Sequence, residues 1–348
     1  SIHGGQFFEG LGLAYFGPFD GHNIPELVGA LKRLKDLDHP VVLHLRTQKG
    51  RGRDYAVDDP TRFHSPSAHT IEDGKAVFPV HGNQTWTDAF TEALIAAAKK
   101  DKRVVALTAA MPDGTGLIKF REQFPDRTID VGIAESHAVG MAAGLAKAGH
   151  KPVVAVYSTF MQRAIDQVFH EAALQNLPVI VCMDRAGLVG SAGAVHHGFM
   201  DIAAFRTLPN MTVLAPATGE EMSLAMDYAL SLDGPSAIRY PRDYVPDCNC
   251  PVAAFETGKS VLARPGADGT LLCFGTTLAP ALKAAELLAA EGKDVAVVNA
   301  RFAKPLDLDM VREAYARGPV VTLEEHAIAG GFGSAVLQAA AEFKLDAS

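Results

Sequence analysis

The stretch Thr128–Gly149, TIDVGIAESHAVGMAAGLAKAG, restricts what this chain can fold into. It opens as a short apolar strand, Thr128–Val131, and turns at Gly132. It continues as a helix in which Ala138, Gly140, Ala142, Ala143, Gly144 and Ala146 leave almost no side-chain bulk. Glycine inside a helix costs about 1 kcal/mol against alanine. Two of them suggest that something packs very close. Glu135 stands where the helix begins and has two readings. It is a first-turn acid complementing the helix dipole, or a catalytic carboxylate in a dry pocket.

The sequence around this stretch alternates between strand and helix patterns from Asn83 onward. Apolar runs predict strands over Val104–Ala109, Pro152–Tyr157, Pro178–Met183, Thr212–Ala215 and Ser236–Arg239. Helical spacing covers Thr85–Lys100, Leu117–Phe124, the stretch after Ser158-Thr159-Phe160 to about Gln175, and Met200–Thr207. Thr218 and Glu221 make a capping box for a further helix to about Leu232. This is the pattern of an α/β fold, a doubly wound and mainly parallel sheet. After the Pro- and Cys-containing segment Pro246–Pro251 a smaller α/β unit follows. Its expected strands are Gly269–Phe274, Asp294–Asn299 and Val320–Leu323. Its expected helices are Leu278–Glu291 and Ser334–Phe343, the latter capped by Ser334.

Ahead of Asn83 the reading is sparser. A strand at Leu13–Phe16 runs into the turn-forming GPFDGH, Gly17–His22. Asn23 caps a helix over Ile24–Leu37, and PVVLHL, Pro40–Leu45, is a buried strand. TQKGRG, Thr47–Gly52, follows at its carboxyl end, where open α/β sheets place ligands. Lys49 and Arg51 either meet an anion there or form a solvated basic turn. Residues 54–80 show no period and read as a long loop or linker.

Of the 348 residues, 48% are hydrophobic and 21% charged, as in a globular protein in water. The net charge of -8 offers no basic patch for nucleic acid. No apolar run approaches the roughly 20 residues that span a bilayer, so no membrane association is expected. Cys182 and Cys273 sit in apolar runs and read as buried thiols, while Cys248 and Cys250 read as loop thiols rather than a metal site. A cytoplasmic setting is expected, or plastid stroma in a plant. The chain begins at Ser1 without a methionine and is read as a fragment or processed piece.

Glu135, Tyr157, Phe160, Arg163, Arg185, His196, His197 and Arg242 fall at or just beyond the carboxyl ends of successive predicted strands. Each alone has an ordinary explanation in the core or in solvent. Their common rim favours a shared pocket. Arginines and histidines there suit a phosphorylated, carboxylate-bearing or carbonyl substrate. The sequence holds no G-x-S-x-G, H-E-x-x-H or Walker A motif.

DVGIAESHAVGMAAGLA, then YSTFMQRAIDQ, DRAGLVG, HHG and RYPR, resembles the 1-deoxy-D-xylulose-5-phosphate synthases, thiamine-diphosphate-dependent relatives of transketolase. GPFDGH and TQKGRG are similar to the end of that family's first domain. VNARFAKPLD and EEHAIAGGFGSAV are similar to its third. The resemblance implies a first-domain tail over 1–66, a linker over 67–82, a pyrimidine-binding catalytic domain over 83–245, and a truncated transketolase C-terminal-like domain over 246–348.

It also implies a reaction: condensation of pyruvate with glyceraldehyde 3-phosphate, with loss of carbon dioxide, to 1-deoxy-D-xylulose 5-phosphate. The product feeds isoprenoid and thiamine synthesis. The implied cofactors are thiamine diphosphate and Mg, and the implied assembly is a homodimer. Glu135 and His64 would be catalytic, Glu135 hydrogen-bonding the N1′ nitrogen of the aminopyrimidine. Ile133, Glu135, Phe160, Arg163 and Lys49 would bind cofactor, with Phe160 stacking on the pyrimidine. Tyr157, Arg163, Arg185, His196 and Arg242 would hold substrates, with arginines gripping phosphate.

Two departures from the family stand out. Ala192 and Val195 replace the Asp and Thr usual in the family's Gly-rich loop, here AGLVGSAGAVHHG, Ala186–Gly198. The family's GDG motif for magnesium and diphosphate is absent, so no metal ligands are expected in this chain. Two rival readings remain: a subunit of a split transketolase or 2-oxoacid dehydrogenase, and a non-catalytic homologue.

Overall fold

The computed structural model describes residues 4–64, 66, 68–79, 82–190 and 192–345. Ser191 of the loop noted above lies outside them. The chain divides into two compact units, residues 1–80 and 81–348.

In the first unit, strands β1 (Ala14–Asp20) and β2 (Val41–Arg46) form a parallel pair. The helix Ile24–Leu34 joins them. Asn23 caps it as expected, its side chain accepting from the Glu26 amide at 3.3 Å. The stretch read as structureless contains a short helix, Asp54–Asp58, and a hairpin of β3 (Thr70–Glu72) and β4 (Lys75–Val77). Three-residue strands carry too few side chains for a period to show. Asp73 and Gly74, both at positive φ, make the turn.

In the second unit, β5 (Val104–Thr108), β6 (Thr128–Asp130), β7 (Lys151–Tyr157), β8 (Ile180–Asp184), β9 (Thr212–Leu214) and β10 (Ser236–Arg239) are parallel. A smaller sheet holds β11 (Val261–Arg264), β12 (Thr270–Cys273), β13 (Ala296–Asn299) and β15 (Val320–Leu323). Strand β14 (Phe302–Lys304) leaves that sheet and pairs antiparallel with β9. The large sheet therefore runs β14-β9-β10-β8-β7-β5-β6. Strands β5, β8 and β10 are buried along their whole length. That is why they read as continuous apolar runs.

Several expectations need correction. The helix expected after Phe160 is broken: Ser158–Met161 is α-helical, Gln162–Ala164 3₁₀ and Val168–Ala173 π-helical. A helix at Leu308–Arg317 was not anticipated, although Asp307 caps it through the Met310 amide. Ser334 does not cap the last helix. That helix starts at Phe332, and Glu324 accepts from the Phe332 and Gly333 amides at 2.6 and 2.8 Å. Ser334 instead donates to the Ile328 carbonyl. Thr218 accepts from the Glu221 amide, but the Glu221 side chain turns to the Ala217 amide, Asn299 and Arg301. Cys248 and Cys250 are disulfide-bonded rather than free. Among the described residues nothing packs on the helix glycines: a Cβ at Gly140 or Gly144 would have no neighbour within 4 Å.

Candidate active site

The site grows from the end of β6. Asp130 accepts from the amides of Ala110 and Gly132, tying the loop after β5 to the turn before Glu135. Gly132 sits at φ +73, a conformation glycine adopts at little cost. The chain then enters the Glu135–Lys147 helix with Glu135 as its first residue, 3% exposed. Ala138, Ala142 and Ala143 behind it are buried in the main core.

The broken helix after β7 faces this carboxylate. Arg163 donates from Nη1 to Glu135 Oε1 at 2.5 Å, while its side chain is 54% exposed. Its guanidinium also lies 4.8 Å over the Phe160 ring. Ser136 donates to the Arg163 carbonyl, fixing that turn to the Glu135 helix. Phe160 stacks on Tyr157 at 5.7 Å, and the His196 ring meets Phe160 edge-on at 5.5 Å. The guanidinium of Arg185 covers the other part of this group, 3.8 Å from the Tyr157 ring centre. Glu135, Arg163, Phe160, Tyr157, His196 and Arg185 thus form one connected cluster.

Arg185, implied as a substrate-holding residue, is already paired within the protein. Its side chain is 10% exposed and already engaged, donating to the Gly114 carbonyl at 2.6 Å and to Asp184 at 2.8 Å. It adopts φ +61, a strained conformation for a side chain this large. Asp184 is fully buried; burial pushes its carboxyl pKa upward against the pull of Arg185 and of the Thr87 hydroxyl. Burial also raises the Tyr157 phenol, with Arg185 and Arg242 opposing the shift. Arg242 is exposed and close enough to act on Tyr157. It is therefore the better placed of the two to meet an anion.

Ile133 is 82% exposed at the turn. His197 accepts from the Val189 amide and braces the loop. Lys49 and His64 belong to the first unit, both exposed. Sequence reasoning missed Asp184, Thr87 and Gly114. A Cβ at Gly114 would collide with the Tyr157 hydroxyl. A strand-end Asp-Arg pair was the only available signal for Asp184. Thr87 and Gly114 carried none, because their partners are distant in sequence.

A buried carboxylate beside a half-buried aromatic face can hold a flat nitrogen heterocycle, one edge hydrogen-bonded and one face covered. Residues 83–247 match the family model for the transketolase pyrimidine binding domain, and 258–348 that for the transketolase C-terminal domain. Residues 1–47 match the 1-deoxy-D-xylulose-5-phosphate synthase model. A 1-deoxy-D-xylulose-5-phosphate synthase of Geobacter metallireducens is 48% identical over 337 residues, covering 96% of this chain and 54% of its own length. That of Anaeromyxobacter dehalogenans is 49% identical, again covering 96% and 54%.

The chain belongs to the 1-deoxy-D-xylulose-5-phosphate synthase family. It spans about half the length of the curated relatives it matches. Among solved structures, a split-gene transketolase described as an inactive beta4 tetramer superposes with a TM-score of 0.69 at 33% identity. That match covers 75% of this chain and 86% of the other. A Pichia stipitis transketolase gives a TM-score of 0.62 at 19% identity, over 72% of this chain and 40% of that one, a likeness of fold.

Proposed function

We propose that this chain supplies the pyrimidine-binding part of an enzyme that condenses pyruvate with glyceraldehyde 3-phosphate, releases carbon dioxide and forms 1-deoxy-D-xylulose 5-phosphate. The observation that carries this reading is the buried Glu135 with Arg163 on its carboxylate and Phe160 alongside. In this reading 1–66 are the tail of the diphosphate-binding domain, 67–82 a linker, 83–245 the catalytic domain and 246–348 the C-terminal domain.

These residues fit the pyrimidine end of thiamine diphosphate: the carboxylate is desolvated, and the small-residue helix leaves room. When bound, the cofactor supplies the nucleophilic carbon and electron sink that decarboxylation and carbon–carbon bond formation require. Glu135 would hydrogen-bond the ring nitrogen N1′. Arg163 fixes the carboxylate and Phe160 covers the ring, with Ile133 at the slot's mouth. Tyr157 and His196 orient substrate, and exposed Arg242 takes the phosphate. Arg185 acts through Tyr157 and the Gly114 loop. Lys49 and His64, for which the resemblance implies cofactor and catalytic roles, belong to the first unit.

For the diphosphate end the fit is different. Among the described residues no group of three or more His, Cys, Asp or Glu side chains could hold a metal ion, and the sequence contains no GDG. Mg and the diphosphate are assigned to residues outside this set. The assembly is proposed to be a cytoplasmic homodimer, the second copy packing on the open Gly140–Gly144 face.

The test is product formation by the intact protein with pyruvate, glyceraldehyde 3-phosphate, thiamine diphosphate and Mg. Deoxyxylulose phosphate in step with carbon dioxide is expected; folded protein without either would overturn the reading. Calorimetry on residues 1–348 alone should show little heat with cofactor and Mg.

A further inference from the structure

The loop that carries His196 is closed by a neck of two glycines. Gly187 and Gly198 exchange both backbone hydrogen bonds, at 2.9 and 2.8 Å. The neck has no spare room on either side. A Cβ at Gly198 would fall 2.5 Å from Ser158 Oγ, at the start of the Phe160 segment. A Cβ at Gly187 would fall 2.7 Å from Cβ of Glu325, which follows β15 of the smaller sheet. Gly187 also sits at φ +77.

Glu325 is itself held. Thr276, just beyond β12, donates to Glu325 Oε2 at 3.2 Å. Arg239, the last residue of β10, donates from Nη2 to the Glu325 carbonyl at 2.9 Å. The Nε of the same arginine donates at 2.7 Å to Asp201, and both side chains are nearly inaccessible. Asp201 opens the helix that follows the loop. The residue after Glu325, His326, accepts from the Ala203 amide at 3.4 Å in that helix. The neck of the loop and the helix that follows it therefore lean on consecutive residues after β15: Gly187 on Glu325, and the Asp201–Thr207 helix on His326 and, through Arg239, on the Glu325 carbonyl.

We propose that Glu325, fixed by Thr276 and Arg239, is a positioning residue for the glycine-necked loop 187–198, so that the turn after β15 of the smaller sheet sets where His196 stands beside Phe160. Among the described residues no hydrogen bond or ion pair joins Glu325 to the Glu135–Phe160 cluster. It acts through the loop: the neck fixes the loop's base, and His196 reaches Phe160 from it. Moving a substrate-orienting group by about 1 Å can cost about 100-fold in rate.

The kinetic part of this inference rests on the function proposed above; the structural part does not, and the experiment separates them. Hydrogen exchange is followed in the full protein for wild type, Glu325→Ala and Thr276→Val. The expected result is about tenfold faster exchange of loop amides 188–190 and 192–197 in both variants, with strands β7 and β8 unchanged. Unchanged loop exchange overturns the proposal whether or not the protein has the proposed activity. Thr276→Val keeps the volume and loses only the hydroxyl, so it carries the test if Glu325→Ala does not fold.

Kinetics then ask whether the loop acts through His196. Glu325→Ala should lower kcat/KM for the aldehyde about 10- to 100-fold in wild type and less than about twofold in a His196→Ala background. Effects that simply multiply would sink the coupling. Wild-type protein without synthase activity would sink the functional reading and leave the exchange result standing.

Discussion

The helices Ile24–Leu34 and Trp86–Lys100 begin alike and end differently. Each starts at a capping side chain, Asn23 or Thr85, that accepts from the amide three residues on. Each carries apolar residues at helical spacing. In the first, Ile24, Val28 and Leu31 are 63, 44 and 54% exposed and Ala30 alone is buried. In the second, Trp86, Phe90 and Leu94 are fully inaccessible. Local chemistry is enough to start a helix. Whether its apolar face contributes to stability depends on what the sheet behind it can cover. A two-stranded pair leaves that face open; a seven-stranded sheet with helices against it closes it.

The sharpest way to break this contrast is hydrogen exchange. Amides of β7 and β8 should exchange near the limit of global unfolding, and those of β1 and β2 several orders of magnitude faster. Equal protection would show that the exposed apolar face of the first unit is covered in solution.

A buried charge network should respond next. Arg301, 1% exposed and at φ +61, pairs with Glu221 at 3.2 Å and lies over Phe255. Glu221→Gln leaves an uncompensated buried guanidinium and should cost about 3–5 kcal/mol in denaturant melts. A loss below about 1 kcal/mol would mean that water reaches Arg301. Core truncation gives the smallest of the three effects and the cleanest pairing. Leu94→Ala should cost about 2–5 kcal/mol and Leu31→Ala within about 0.5 kcal/mol. Similar losses at both sites would erase the distinction between the units.

How much of this was legible in the sequence follows from the same contrast. The strands β5, β7, β8 and β10 announced themselves because burial on both faces writes a continuous apolar run, punctuated by Gly and Pro. That Glu135, Tyr157, Phe160, Arg163 and His196 would come together was legible because strand ends in a parallel sheet all point to one rim. Strand β14 was not, since three residues pairing with the edge of another sheet carry no local signal. Ser334 looked like a cap because serine usually is one, yet Glu324, eight residues before Phe332, reached the helix first. The engagement of Arg185 with Gly114, and of Glu325 with Gly187, joins residues far apart in sequence. Only tertiary packing brings them together.

The account stands or falls on Glu135. Glu135→Gln keeps the size of the side chain but cannot share a proton with a ring nitrogen in the same way. In the intact protein, deoxyxylulose phosphate formation should fall at least about 10²–10⁴-fold while the thermal midpoint stays near that of wild type. Near-normal turnover with a lowered midpoint would show that Glu135 only complements the helix dipole, a contribution of about 0.3–1 kcal/mol, and would contradict the assignment of the site.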